Sequence, residues 1–325
     1  MTFSEHVFRY CERGTSEALL AEPINVISNL AFLFAALIGL QLLLWRPREE
    51  RSADHYLLVF LVLAIGLGSL AFHLFATEGT ELLDVVPIGL FMLVYLGFAL
   101  NRFLGVPVGL SVLLVIGFTA IMAMTGQVQC WGGGVVLPGP EIQGAKPCLN
   151  GGVFYLPALM ALIVVGLLAE ERRHRAAPYL LWAAAILAIS ITLRSLDFAL
   201  CDRVLMQGRK VGTHFAWHLL NGLALFLLLR ASLEGGPDRL RAPRPVSAPE
   251  ETALAEAEAE PLEAGELRQF TAIEMTLAKG LVPPRKPKKL AERVASASEE
   301  AAKEDAAKEE EPVKTGPEPE VLSPA

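Results

Sequence analysis

Seven apolar runs dominate this chain, at roughly 24–45, 56–76, 83–101, 105–124, 153–170, 177–195 and 212–231. Each is close to the ~20 residues that an α-helix needs to cross about 30 Å of hydrocarbon. Inside lipid only helices and closed barrels satisfy their own backbone donors and acceptors, and runs of this length read as helices. The expected fold class is therefore all-α, a polytopic membrane protein built as a seven-transmembrane-helix bundle. A mean hydropathy of +0.44 agrees. The first 23 residues carry no apolar core, so no cleavable signal peptide is expected ahead of the first run.

Orientation follows from Lys and Arg in the short connections. One side holds Arg46, Arg48, Arg51, Arg102, Arg172, Arg173, Arg175, Arg230, Arg239, Arg241 and Arg244. The other holds Arg9, Arg13, Lys146, Arg203, Arg209 and Lys210. Eleven against six places the N-terminus outside and the C-terminus in the cytoplasm. All four cysteines then fall outside, where an even number reads as disulfides. Cys130 and Cys148 flank one Gly/Pro-rich loop, which leaves Cys11 with Cys201; the alternative is four free thiols.

From about Gly235 the composition turns to Ala, Glu, Lys and Pro. Gly236–Ala325 holds 19 acidic and 13 basic residues, so most of the chain's net charge of −7 sits there. Such a segment buries too little apolar area to offset its ordering entropy. The expected organisation is an extracytoplasmic segment at 1–23, a membrane domain at 24–234 and a disordered cytoplasmic tail at 235–325. Within the tail, 266–281 and the basic residues Arg285, Lys286, Lys288 and Lys289 after it are expected as solvated chain, the alternative being a short helix that touches an anionic membrane surface.

Ionisable residues at the edge of hydrocarbon are expensive and mark sites. Ser69 and His73 lie near the outer end of the second run, and Asp84 opens the third. His214 and His218 fall in the first two turns of the seventh, also outside. Ser69/His73 and His214/His218 are i,i+4 pairs, each on one helix face. Three His with one position left open is a catalytic zinc arrangement. A structural site would close with a fourth protein ligand, and no cysteine lies at that depth. Asp84 is either that fourth ligand or a base beside an activated water. Ser69 is placed to donate to an oxygen that becomes negative as a carbonyl is attacked. Arg194 and Asp197, at i,i+3, are expected as an ion pair, and Asn25, Ser28 and Asn29 as hydrogen-bonding partners of a neighbouring helix.

These residues, in this order, resemble an alkaline ceramidase, within the wider superfamily of seven-span hydrolases that includes the adiponectin receptors. The matching residues are Tyr10-Cys11-Glu12, Glu22 with Asn25, Ser28 and Asn29, Gly68-Ser69-Leu70-Ala71-Phe72-His73, Leu83-Asp84-Val85-Val86-Pro87, Asp197, Cys201-Asp202 and His214-x3-His218. The resemblance covers about 1–231 and excludes the tail. It implies zinc held by His73, His214 and His218, with Asp84 and Ser69 acting beside it. It implies hydrolysis of the amide of ceramide, or of a similar N-acyl lipid, to a sphingoid base and a fatty acid. It also implies a calcium site before the first span, for which Glu12 and Glu22 match. Arg9 and Gly14 depart from that pattern, standing where the family has an acid and an Asn. The Glu12–Glu22 stretch is also one residue short. Calcium takes six to eight oxygens, so the alternative is that Glu12 and Glu22 are solvated or cap the first helix.

The expected partners are the membrane and a lipid substrate, not nucleic acid. Two other classes compete with a zinc amidase. One is a receptor-like or lipid-binding protein with a non-catalytic zinc site; the other is a transporter using His and Asp as a proton relay. A transporter shows internal repeats or broken helices, and neither is evident. Asp84 and Ser69 favour the enzyme, because a structural zinc needs no adjacent base.

Overall fold

The computed structural model of the protein describes residues 3–131, 134–136, 146–236 and 239–241. The chain divides into one unit at Met1–Pro243 and a second at Arg244–Ala325, and the described residues all lie in the first. Residues 266–281 and the basic run after them lie outside the described residues.

The first span is α1 (Pro23–Ser28) followed by α2 (Leu30–Leu44). Then come α3 (Ala53–Phe75), α4 (Glu78–Arg102), α5 (Val108–Gly126), α6 (Leu156–Glu171), α7 (Ala177–Leu196) and α8 (His214–Ser232). Short strands occupy two connections. β1 (Gln129–Trp131), β2 (Gly134–Val136) and β3 (Lys146–Pro147) pair in the order β2-β1-β3, and β4 (Leu205–Met206) pairs with β5 (Arg209–Lys210). Among the described residues, 7 helices are long and apolar enough to cross a membrane. The chain is thus an integral multi-pass membrane protein with an all-α bundle. Its outward faces carry exposed Phe34, Phe60, Leu113 and Trp182, as a lipid-facing surface does. Its core runs through Phe32, Leu58, Ile65, Phe91, Phe103 and Leu180.

Local chemistry sets the helix ends beyond what hydropathy marks. α4 starts at Glu78, five residues before the apolar run, because Thr77 and Thr80 form a reciprocal cap. In α1, the Asn29 amide and the Ser28 hydroxyl both donate to the Asn25 carbonyl, so side chains compete with the backbone where α1 gives way to α2. Between α3 and α4, Ala76 takes a left-handed conformation at φ 48° and the chain reverses.

Pro87 lies inside α4 and has no N–H to offer the Leu83 carbonyl four residues back. Gly68 of α3 packs against that carbonyl: a Cβ at position 68 would run into the Leu83 oxygen. A missing donor on one helix and a missing side chain on the other bring α3 and α4 together one residue from Asp84.

The end of α3, the starts of α4 and α8, the end of α7 and the N-terminal segment meet at one end of the bundle. The disulfide Cys11–Cys201 fastens the N-terminal segment there, with Cα atoms 5.6 Å apart, and Cys130–Cys148 closes the loop before α6. Both pairings are those expected from the sequence. At the opposite end, ion pairs Arg46–Glu234, Arg239–Glu50 and Arg241–Glu170 tie the residues after α8 back to the bundle.

Candidate metal centre

His73 on α3 and His214 and His218 on α8 are fully enclosed. Their ring centroids stand 5.2, 4.7 and 4.5 Å apart, and one nitrogen from each lies within 4.8 Å of the others. His73 Nε2 and His214 Nδ1 are buried without a hydrogen-bond partner. Leaving such atoms unpaired is costly, and a divalent ion among them relieves the cost. Three neutral imidazoles are a donor set suited to zinc.

The surroundings fix how the rings turn. His73 Nδ1 lies 2.6 Å from Glu22 Oε2, and His218 Nδ1 lies 2.7 Å from the Ser28 hydroxyl. In each ring the second nitrogen is thereby left for a ligand, as when carboxylates or hydroxyls orient metal-binding histidines. The Tyr10 ring stacks on His214 at 3.6 Å between centroids. Glu22 in turn accepts from Asn25 Nδ2 at 2.9 Å and forms a buried ion pair with Arg13. Burial opposes the charge on Glu22, but His73, Arg13 and Asn25 together hold its carboxyl below the usual carboxylate range. Arg13 has its other donors on the Ser16, Ala18, His73 and Leu74 carbonyls.

The N-terminus of α8 is held just as firmly. Asp197 accepts the backbone N–H groups of Cys11, Thr213 and His214 at 2.8, 2.7 and 3.0 Å. A carboxylate at that position suits the helix dipole. Gly212, at φ 69°, leaves room for it: a Cβ there would overlap the Asp197 carboxyl and crowd Cys11. The ion pair expected between Arg194 and Asp197 is therefore not formed. Both Asp197 oxygens are taken by backbone donors, and Arg194 turns instead to the Tyr10 hydroxyl at 3.0 Å.

Asp84 is buried near the His cluster and is not one of the three residues whose ligand atoms converge. Its Oδ1 has no hydrogen-bond partner, and Ser69 is one of its polar neighbours. The structure therefore brings Ser69, His73, Asp84, His214 and His218 to one end of the bundle. Glu12 and Glu22 lie at that end too, but the described residues give calcium no support. Both Glu12 oxygens accept backbone N–H groups of Ile24 and Asn25 at 2.8 Å, capping α1, while Glu22 is occupied by Arg13, Asn25 and His73. Among the described residues the group of side chains placed to hold a metal ion is the three histidines, and it includes neither carboxylate.

Gly68→Ala should show how closely α3 and α4 are packed. The new methyl meets backbone rather than a flexible side chain, so α4 must move. The variant is expected to unfold at a lower temperature than wild type, since overpacking a close helix contact costs about 1–3 kcal/mol. A melting curve equal to the wild type's would show that the helices separate without cost.

An apolar cavity opens beneath the cluster, lined among others by Phe91, Tyr95, Tyr155, Leu162, Asn221 and Leu225. Asn221 is one turn beyond His218 on α8. Sequence reading did not assign roles to Arg13, Ser28 as the partner of His218, Tyr10, or Asp197 as the α8 cap. The Ceramidase family model matches residues 8–233, which span all seven helices and every residue of the site. No curated protein matches the chain.

Proposed function

The chain belongs to the ceramidase family, and we propose that it is a zinc-dependent hydrolase of the amide bond in ceramide or a similar N-acyl lipid. The observation that carries this reading is a buried three-imidazole cluster, with unpartnered nitrogens on His73 and His214, one helical turn along α8 from an apolar cavity that Asn221 lines. His73, His214 and His218 would hold the zinc, and Glu22 and Ser28 would orient two of those rings. When bound, zinc activates water and polarises a carbonyl. Asp84 then accepts the proton of the attacking water and passes it to the leaving amine. Ser69 donates to the carbonyl oxygen as it gains charge. The acyl chain occupies the cavity, and the low-dielectric walls strengthen each of these interactions. Asp84 standing outside the convergent ligand set favours a base over a fourth ligand, and so favours enzyme over receptor. Ser69→Ala should slow turnover by about 10²–10³-fold at unchanged zinc content; an unchanged rate would assign Ser69 to packing.

The site lies at the extracytoplasmic end in this reading, with the C-terminus in the cytoplasm. Its support is the charge bias of the connections and two disulfides at the site end. The tail is then dispensable. A chain ending at Pro243 retains the contacts of Arg239 and Arg241. It is expected to insert, bind zinc and turn over at the full-length rate, and loss of activity from a folded, zinc-loaded truncation would contradict this. The substrate class is tested by incubating the purified protein with N-acyl lipids of differing base and acyl length. Release of a free amine and a fatty acid in equal amounts is expected. No amine from any member would reject the proposal.

A further inference from the structure

Arg194 carries a positive charge with no carboxylate of the described residues in contact with it. It lies on the last turn of α7, and its guanidinium sits among three rings, 5.4 Å from the Tyr10 centroid, 5.5 Å from Tyr155 and 5.3 Å from Trp217. Nη1 donates to the Tyr10 hydroxyl, while Nε is buried with no acceptor. Among the described residues no carboxylate pairs with it. Asp84 and Asp197 act on it only through space, and the Asp197 oxygens accept backbone donors instead. Aromatic faces offset part of a buried cation's desolvation, but they leave a guanidinium N–H without an acceptor. A dication held by the nearby imidazoles would raise the positive charge of this region further. Such a fork, partly buried beside an unpaired donor, is arranged for an anion with paired oxygens.

The position of the fork narrows which anion. Tyr155 belongs both to the ring box around Arg194 and to the wall of the apolar cavity. Trp217 of the same box is flanked on α8 by the metal-binding turn. A group on Arg194 therefore lies between the Tyr155 wall of the cavity and the His cluster, which Tyr10 joins to Arg194. We propose that Arg194 binds the carboxylate of a long-chain fatty acid whose chain lies in that cavity. This rests on the amidase reading: the C–N bond of the amide breaks, water supplies the new oxygen, the amine leaves with a proton, and the acyl carbon becomes a carboxylate at the place where Arg194 waits. The carboxylate is the one group in the reaction that carries a full negative charge in the product and none in the substrate. Arg194 thus holds product more tightly than substrate, and the free fatty acid is a competitive inhibitor.

The test is binding of palmitate and of hexadecanol, a neutral lipid of equal length, to the full-length zinc-loaded protein in detergent. Displacement of a fluorescent fatty acid is the readout, with Arg194→Gln and Arg194→Lys alongside. Wild type should prefer palmitate by at least about tenfold. Arg194→Gln should lose that preference while binding hexadecanol as wild type does, and Arg194→Lys should retain part of it. Hexadecanol affinity and zinc content report that each variant is folded. Should the Gln variant fail to fold, a wild-type preference for palmitate that falls severalfold in the Lys variant carries the same conclusion. Equal binding of the two lipids by wild type would overturn the proposal. So would a palmitate preference that survives in Arg194→Gln and vanishes when zinc is chelated, since the metal would then be the anion site. Because binding is read without turnover, failure of the lipid panel to release amine would reject the amidase reading and leave this result standing.

Discussion

Alanine at His73, His214 or His218 is expected to leave the purified protein without zinc and to reduce N-acyl lipid hydrolysis to background. Each ring supplies one of three converging nitrogens, and the enclosure leaves no fourth His or Cys among the described residues to take its place. Two imidazoles bind zinc far more weakly than three, and zinc, when bound, would lower the pKa of a water to about 7, which is lost with the ion. The three variants should differ in stability. Removing His73 takes one partner from Glu22 but leaves the Arg13 ion pair intact. Removing His214 opens a space beneath Tyr10. Elemental analysis beside a melting curve separates these effects from metal loss. Any one of these variants retaining a full equivalent of zinc would show that its ring is not a ligand.

Asp84→Asn is expected to abolish most turnover while the zinc stays. The substitution keeps the shape of the side chain and its contact with Ser69, and removes the capacity to take a proton. A positioned general base contributes about 10²–10⁴-fold, so the variant should lose activity on that scale at one zinc per chain. Because Asp84 lies outside the convergent ligand atoms, metal affinity should change little. Loss of zinc together with activity would instead make Asp84 a ligand and reopen the receptor-like reading.

The seven spans were legible because hydropathy over twenty residues is a strong, local signal, and their starts fall within five residues of those expected. The i,i+4 spacing of His214 and His218 was equally legible, since one helix places both rings on one face. His73 could be joined to them only through topology, by counting spans and finding the same depth. The network that orients the rings was not readable in this way. Arg13 and Glu22 lie in or beside irregular chain, nine residues apart, and their pairing depends on a His73 carbonyl sixty residues on. The resemblance put Glu12 and Glu22 forward as cation ligands, with solvation or helix capping as the alternative, because a carboxylate capping a helix and one buried against Arg13 look the same in sequence as a cation ligand. Arg194 and Asp197 misled for a related reason. Spacing allowed an ion pair, but Thr213 and His214 at the start of α8, with Cys11 of the disulfide-fastened N-terminal segment, offered Asp197 three backbone donors. Gly68 and Pro87 stood in motifs whose physical meaning, a helix contact made through a bare carbonyl, emerges only when α3 and α4 are seen side by side.

The central claim is that hydrolysis belongs to a zinc ion held by these three histidines. Its most direct measurement is a titration of chelator-stripped protein with zinc, reading amine release from an N-acyl lipid. Activity should rise in proportion to added zinc and level off at one equivalent per chain, and the His214→Ala protein should give no activity across the same titration. Full activity in the metal-free protein, or a zinc-saturated wild type that releases no amine from a lipid panel, would contradict it.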